Sequence, residues 1–210
     1  MCIAIIKPAG VKMPVRETLD ICFANNPHGC GYTLNRNGVN YIFKGFTSVD
    51  EMCKSFEKTC PKQSETVMIH FRVASHGEIN AENCHPFPVS SKYSVLKKTE
   101  IQTWLPTLVH NGTFYSFKKE ENKHSDTMNF VKSIAPFVNN NYLYNSRALK
   151  DFLNLYVKEN NSRIAVLYNN GVFNAFGEWI HDKNTNLYFS NLNYRFVTNR
   201  FSLEQLEFDF

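Results

Sequence analysis

Two Asn-Gly pairs, each set among short apolar runs, place the strongest constraint on the fold. Asn37-Gly38 lies inside residues 31–46, and Asn170-Gly171 lies inside residues 164–176. Asn and Gly both tolerate the positive φ that two-residue hairpin turns require. Each pair therefore predicts an antiparallel hairpin, and successive hairpins favour antiparallel sheets over β-α-β units.

Strands are predicted to open and close the chain, with helices between them. The isoleucine-rich run 2–6 predicts a buried first strand. Pro14 precedes an amphipathic helix that ends before Pro27. Serine caps at 48, 125 and 146 predict three more helices. Further strands are predicted at 67–72, 107–109, 186–189 and 194–197, and the whole forms a single domain over residues 2–210.

Composition narrows the class of protein. The chain has 210 residues, enough for one compact core, and a net charge of +4. Its basic residues are scattered, which argues against direct nucleic-acid binding. No signal peptide and no apolar run long enough to cross a membrane is present. Six cysteines without a CxxC pair favour free thiols in the cytoplasm over disulfides or structural zinc.

Cys2 directly follows Met1 and is the first candidate for chemistry. If the initiator methionine is removed, Cys2 carries both a thiol and a free α-amine. The α-amine has a pKa near ~8, so part of it is unprotonated at neutral pH and can accept the thiol proton. This pairing of a nucleophile with the chain's own terminal amine is a known way to activate a thiol.

Three later segments carry side chains that complement a thiol nucleophile. Arg72 follows a strand and offers a planar guanidinium that binds carboxylates through two hydrogen bonds. The Asn111 amide and the adjacent Gly112 N–H are suited to stabilising a developing oxyanion. Asp126, at a predicted helix start, is a candidate for binding an ammonium group. Taken singly, each also has an ordinary structural interpretation as a surface charge, a turn or a helix cap.

Together these segments resemble the class II glutamine amidotransferases, whose glutaminase domains are N-terminal nucleophile hydrolases. Five segments share the order and approximate spacing of that family, with the nucleophile at position 2. An earlier segment, 26–32, also resembles a family motif, although His28 stands where many members have an acidic residue. The five segments are Cys2, the Arg72 segment, Asn83-Cys84-His85-Pro86, His110-Asn111-Gly112 and Ser125-Asp126-Thr127.

The resemblance implies a fold and a set of roles. The fold is α+β, a four-layer αββα sandwich of two antiparallel sheets. Cys2 attacks the side-chain amide of L-glutamine, and Asn111 and Gly112 form the oxyanion hole. Arg72 binds the substrate α-carboxylate and Asp126 its α-ammonium. The other substrate-binding residues implied are Ser75, His76, Gly77 and His85.

The implied activity is glutaminase chemistry without a metal or other cofactor. The sandwich uses all of the chain, so the ammonia acceptor is expected to be a separate synthase or synthetase, with a nucleobase or nucleotide as one candidate substrate. Two alternatives remain open. One is a standalone hydrolase of γ-glutamyl amides of small metabolites, and the other is a non-catalytic binding module that retains Met1. A metal site among the histidines and Cys84 fits no tight zinc spacing.

Overall fold

The computed structural model describes residues 1–74, 77–118 and 124–197. Within these ranges the chain has an α+β fold with one seven-stranded sheet, one four-stranded sheet and six α-helices. All strand pairs in both sheets are antiparallel. The prediction of an α+β fold with two antiparallel sheets is confirmed.

The larger sheet contains the first strand of the chain and its partners. Its strands are β1 (Ile3–Lys7), β2 (Cys30–Arg36), β3 (Val39–Phe46), β4 (Val67–Phe71), β6 (Glu100–Thr103), β10 (Ile180–His181) and β11 (Tyr188–Phe189). Their order is β10-β11-β1-β4-β2-β3-β6. Strand β1 therefore lies between β4 and β11, and the residues that follow β11 and β4 come next to Cys2.

The smaller sheet contains the predicted Asn-Gly segment and the second hairpin. Its strands are β5 (Phe87–Pro88), β7 (Thr107–Asn111), β8 (Arg163–Leu167) and β9 (Phe173–Phe176), in the order β5-β7-β8-β9. The predicted strand at 107–109 continues two residues further and ends at Asn111. The hairpins at 31–46 and 164–176 are both confirmed.

The helices begin at the residues that local chemistry predicts. The side chains of Ser48, Ser125 and Ser146 each accept a hydrogen bond from the backbone N–H three residues later, which confirms the three predicted caps. No described helix is both long enough and apolar enough to span a bilayer. The helices are α1 (Arg16–Ala24), α2 (Val49–Thr59), α3 (Tyr93–Leu96), α4 (Asp126–Asn139), α5 (Tyr142–Asn145) and α6 (Arg147–Glu159).

Side-chain alternation along the strands divides the apolar core into three clusters. Ile3 and Ile5 of β1 pack with residues of α1 and α2. Ala4 and Ile6 pack instead against Val109 of β7, in a cluster between the two sheets. A third cluster joins the other face of the smaller sheet to α4 and α6. Because successive residues of a strand face opposite sides, each row of side chains is committed to one cluster.

At one end of the space between the two sheets, the rows of side chains that face this space continue into polar residues. Cys2 precedes Ala4 on β1, Asn111 follows Val109 on β7, and Arg72 follows Met68 and His70 along β4. With a period of two residues, all three side chains are expected to face this gap. The strand register therefore brings three widely separated parts of the sequence to one end of the inter-sheet space.

One predicted strand is wrong. Residues 194–197 form turns and bends instead. The Asn191 side chain accepts a hydrogen bond from the Asn193 N–H at 3.0 Å, which turns the chain immediately after β11. The Tyr194 ring then stacks on Phe189 with ring centroids 3.6 Å apart. The apolar alternation of this segment thus reflects packing of a turn against β11.

Candidate active site

Cys2, Asn111 and Gly112 line a single pocket of about 310 Å³. The pocket lies where β1 begins and β7 ends. No acidic or basic side chain lines it, and the polar side-chain groups of its lining are amides, hydroxyls and the thiol. The sequence-predicted nucleophile and oxyanion donors are therefore neighbours in space. The other lining residues are Met1, Val73, Thr113, Tyr115, Asn160 and Asn161.

The Cys2 thiol is held against the backbone of Val73. The Val73 N–H donates to Sγ at 3.3 Å, and the thiol lies 3.4 Å from the Val73 carbonyl oxygen. Burial raises the pKa of the Cys2 thiol, while the Val73 N–H, the N-terminal ammonium and the Arg72 guanidinium act to lower it. Because burial dominates, the thiol is protonated at neutral pH and needs a base before it can act as a nucleophile.

The main chain at Cys2 is fixed by two residues that follow β11. The Asn191 Nδ2 donates to the Cys2 carbonyl oxygen at 2.7 Å. The Ser190 N–H donates to the Ala4 carbonyl oxygen at 3.0 Å. Sequence reasoning missed both residues, because nothing in the local pattern 190–193 marks them. Only the long-range pairing of β1 with β11 brings them to the nucleophile.

Burial of its side chain constrains Asn111, and backbone conformation and close contacts constrain Gly112. Asn111 is fully buried, and its side-chain amide lies 2.9 Å from the Ser190 hydroxyl. Gly112 has a φ of +141°, a conformation that residues with a side chain rarely adopt. A Cβ at this position would also overlap the Ser162 side chain. Glycine is therefore required at this position, directly after β7.

Arg72 is held by the motif at 26–32. Its N–H donates to the Gly29 carbonyl at 2.8 Å, and its carbonyl accepts from the His28 N–H at 3.0 Å. The Ala74 N–H in turn donates to the His28 ring Nδ1 at 3.0 Å. The buried guanidinium donates to the Glu78 carbonyl at 2.9 Å. His28, which departs from the family pattern, thus supports the segment that connects Arg72 to the pocket.

Asp126 lies at the first turn of α4, where its carboxylate fixes the chain beyond Gly112. One carboxylate oxygen accepts from the Phe114 N–H at 2.6 Å. Asn83 bridges the same region, since its amide accepts from the Ser125 N–H at 3.1 Å and donates to the Glu78 carbonyl at 3.1 Å. The negative charge of Asp126 and the positive charge of Arg72 both act on the Cys2 thiol.

Four predicted site residues remain, and the structure describes two of them, Gly77 and His85. Gly77, with a φ of +78°, packs closely against the backbone of Ser125 beside Asp126. Ser75 and His76 lie outside the described residues. His85 is buried and packs against His70 with ring centroids 4.1 Å apart and the rings tilted by 51°, and it is not part of the pocket lining.

His85 belongs to a cluster of three buried histidines. His70 Nε2 donates to the His110 carbonyl at 3.0 Å, and His110 Nδ1 lies 2.7 Å from the Thr127 hydroxyl. Burial lowers the pKa of His70 and His110 to about 3 and lowers that of His85 well below its usual range. All three are therefore neutral in the folded protein. Among the described residues, no set of His, Cys, Asp and Glu is grouped to hold a metal ion.

The histidine cluster predicts an acid-sensitive fold. Below pH 6.5 the unfolded chain binds protons at these three side chains and the folded chain does not, so the free energy of unfolding should fall with falling pH. Each neutral histidine contributes up to about 1.4 kcal/mol per pH unit. Urea unfolding at pH 7.5, 6 and 5 measures the slope. His70→Gln should flatten it, whereas His181→Gln, at an exposed position on β10, should not. Equal slopes in wild type and His70→Gln would contradict the prediction.

Comparisons with protein-family models and with curated proteins found no match to this chain. The assignment of a function therefore depends on the residues of the site and their geometry.

Proposed function

We propose that this chain is a class II glutamine amidotransferase that hydrolyses the side-chain amide of L-glutamine through a thioester on Cys2. The observation that carries the proposal is the common pocket of Cys2, Asn111 and Gly112. A thiol near the chain terminus, an amide donor and a glycine N–H are the groups that acyl transfer to cysteine needs. Three residues from two strand ends converge there, as the resemblance requires.

The four-layer αββα sandwich of the N-terminal nucleophile hydrolases is part of the same proposal. Its support is the set of three apolar clusters. One lies between the larger sheet and α1 and α2, one between the sheets, and one between the smaller sheet and α4 and α6. In such a sandwich a nucleophile on the first strand lies at the rim of the inter-sheet gap, where substrate has access to it.

The first half of the reaction forms the thioester. After removal of Met1, the Cys2 α-amine takes the thiol proton, and the thiolate attacks the amide carbon of glutamine. The carbonyl oxygen becomes an oxyanion, which accepts hydrogen bonds from the Asn111 side chain and the Gly112 N–H. The α-ammonium then returns its proton to the amide nitrogen, the C–N bond breaks and ammonia leaves.

The second half regenerates the enzyme. The α-amine of Cys2, now neutral, accepts a proton from water as the water oxygen attacks the thioester carbon. The same two donors stabilise the second oxyanion. The C–S bond breaks, glutamate is released, and the thiolate recovers its proton from the α-ammonium. The retained Met1 would replace the basic amine of Cys2 with a non-basic amide nitrogen, so both halves depend on its removal.

Arg72 and Asp126 are proposed to select the substrate. Free glutamine carries an α-carboxylate and an α-ammonium, and one cation and one anion that act electrostatically on the thiol match that pair of charges, although neither residue lines the pocket. Both residues are buried, and both act electrostatically on Cys2. Arg72 contacts the carbonyls of Gly77 and Glu78, so binding of a carboxylate at the guanidinium involves this segment as well.

Substrate comparison tests the proposal. Protein lacking Met1 is expected to release ammonia and glutamate from L-glutamine and to leave L-asparagine intact, as measured by coupled glutamate dehydrogenase assay. Faster turnover of γ-glutamyl conjugates than of glutamine would favour the standalone γ-glutamyl amide hydrolase. No turnover of any of these amides would contradict the proposal and favour a non-catalytic module. The ammonia acceptor is proposed to be a separate synthase or synthetase.

A further inference from the structure

The Ser190 hydroxyl connects the strand that carries the nucleophile to the amide proposed for the oxyanion hole. Its Oγ accepts from the Ala4 N–H at 2.8 Å and lies 2.9 Å from the Asn111 side-chain nitrogen. The Ser190 N–H also donates to the Ala4 carbonyl at 3.0 Å. Two hydrogen bonds to one residue of β1 therefore fix the position of this hydroxyl. Ser190 and Asn111 are both buried from solvent.

A hydrogen-bond count distinguishes the two orientations of the Asn111 amide. With Nδ2 toward Ser190, the hydroxyl oxygen accepts two hydrogen bonds, and Asn111 Oδ1 is buried without a partner among the described residues. Rotating the amide by half a turn exchanges Oδ1 and Nδ2. The Ser190 O–H then donates to Oδ1 while still accepting from Ala4, so the serine proton and the Asn111 oxygen pair with each other, and Nδ2 becomes the amide group without a partner among the described residues.

The second orientation also has a chemical consequence. Nδ2 then occupies a buried position that has no acceptor among the described residues, so the oxyanion proposed to form in the pocket that Asn111 lines would be its partner. The first orientation would present a carbonyl oxygen there, which repels an oxyanion. The hydrogen of one serine hydroxyl thus determines whether Asn111 donates to the reacting oxygen or opposes it.

We infer that Ser190 is a positioning residue that orients the Asn111 amide as a donor to the oxyanion. The inference rests on the proposed function, which gives Asn111 its role, and it adds a residue from the segment after β11. Ser190 touches neither the reacting atoms nor the substrate. Its effect passes through Asn111, so the consequences of removing its hydroxyl should appear only when Asn111 is present.

A double-mutant cycle tests this dependence. Ser190→Ala is expected to lower kcat for glutamine by about tenfold to 100-fold, up to but not beyond the loss from removing an oxyanion donor, while KM changes by less than about twofold. In an Asn111→Ala background, Ser190→Ala should lower kcat by less than about twofold further. Ser190→Thr, which keeps the hydroxyl, should retain most of the activity. Ser90→Ala removes a buried serine hydroxyl that accepts from the Lys92 N–H away from the pocket, and it should leave kcat unchanged.

Alkylation of Cys2 by iodoacetamide provides a second readout. Halide displacement at a saturated carbon develops no oxyanion, so its rate in Ser190→Ala should equal that of wild type. Full kcat in Ser190→Ala, or an equal fold loss with and without Asn111, would overturn the inference. A wild-type protein that hydrolyses no glutamyl amide would instead overturn the proposed function, so the two failures are distinguishable.

Discussion

A Cys2→Ala variant is expected to release no ammonia from L-glutamine above the uncatalysed background. The variant removes the only thiol that can share a residue with the chain's terminal amine. The other five cysteines do not line the pocket: they lie on α1, β2 and α2, at the residue that follows α2, and directly before His85. Burial raises the pKa of the Cys22 and Cys30 thiols, so neither supplies a thiolate at neutral pH. Ammonia release under substrate saturation measures the loss.

Cys53→Ala is the matched control for the nucleophile. Cys53 is partly buried on α2, on the far side of the larger sheet from the pocket. Turnover of glutamine by this variant should stay within about twofold of wild type. Cys53 lies away from the pocket, and substitutions away from buried or functional features usually have small effects. If Cys2→Ala retained measurable turnover of glutamine and Cys53→Ala were as active as wild type, a group other than the Cys2 thiol would carry the reaction.

An Asn111→Ala variant is expected to lower kcat for glutamine by about 10²–10³-fold, equivalent to about 2.7–4 kcal/mol of transition-state stabilisation. The amide donor is lost, and Gly112 alone remains to stabilise the oxyanion. KM should change much less, because the charged ends of glutamine are proposed to bind Arg72 and Asp126. Steady-state kinetics with glutamine separates the two parameters.

Asn139→Ala is the control for a lost asparagine amide. Asn139, at the end of α4, donates to the Val89 carbonyl at 3.0 Å and does not line the pocket. Its removal is expected to lower the free energy of unfolding by about 1 kcal/mol without a change in kcat. Equal kcat in Asn111→Ala and wild type would remove Asn111 from the oxyanion hole.

Features that depend on neighbouring residues were predictable from the sequence. Asn37 and Gly38 both have positive φ, at 51° and 81°, as a primed hairpin turn requires. Ser48 caps α2 through the Glu51 N–H, and Glu51 reaches back to the Thr47 N–H at 2.8 Å. In each case the stabilising contact lies within four residues, so local chemistry alone specifies the structure.

Features that depend on strand register were not predictable in the same way. Ser190 and Asn191 contact residues more than 180 positions earlier, because β11 pairs with β1. Strand β11 has only two residues, and the run after it carries no motif. The predicted strand at 194–197 is wrong for a related reason, since the Asn191 side chain turns the chain directly after β11.

The candidate site shows the same division. Cys2, Arg72, Asn111 and Gly112 were identified from residue type and order, and their convergence follows from the alternation of side chains along β1, β4 and β7. The role of His28 in supporting Arg72 and Ala74 was not predictable, because it depends on a ring nitrogen that accepts from a distant N–H. Asp126 likewise has a backbone partner, the Phe114 N–H, that residue type does not indicate.

Removal of Met1 is the condition on which the whole mechanism depends. With Met1 present the Cys2 nitrogen is an amide, and the thiol keeps a raised pKa with no base of its own. Met1 is more than half exposed at the mouth of the pocket, so it is accessible to an aminopeptidase. Uncovering Cys2 would both create the base and open the pocket in which it acts.

Intact-mass spectrometry with a glutamine-analogue electrophile tests the central claim most directly. The purified protein is weighed before and after incubation with 6-diazo-5-oxo-L-norleucine, and the labelled residue is located by peptide mapping. The proposed mechanism predicts a mass lower by one methionine residue and a single adduct on Cys2. Retained Met1 with no adduct, or an adduct on a different cysteine, would contradict it.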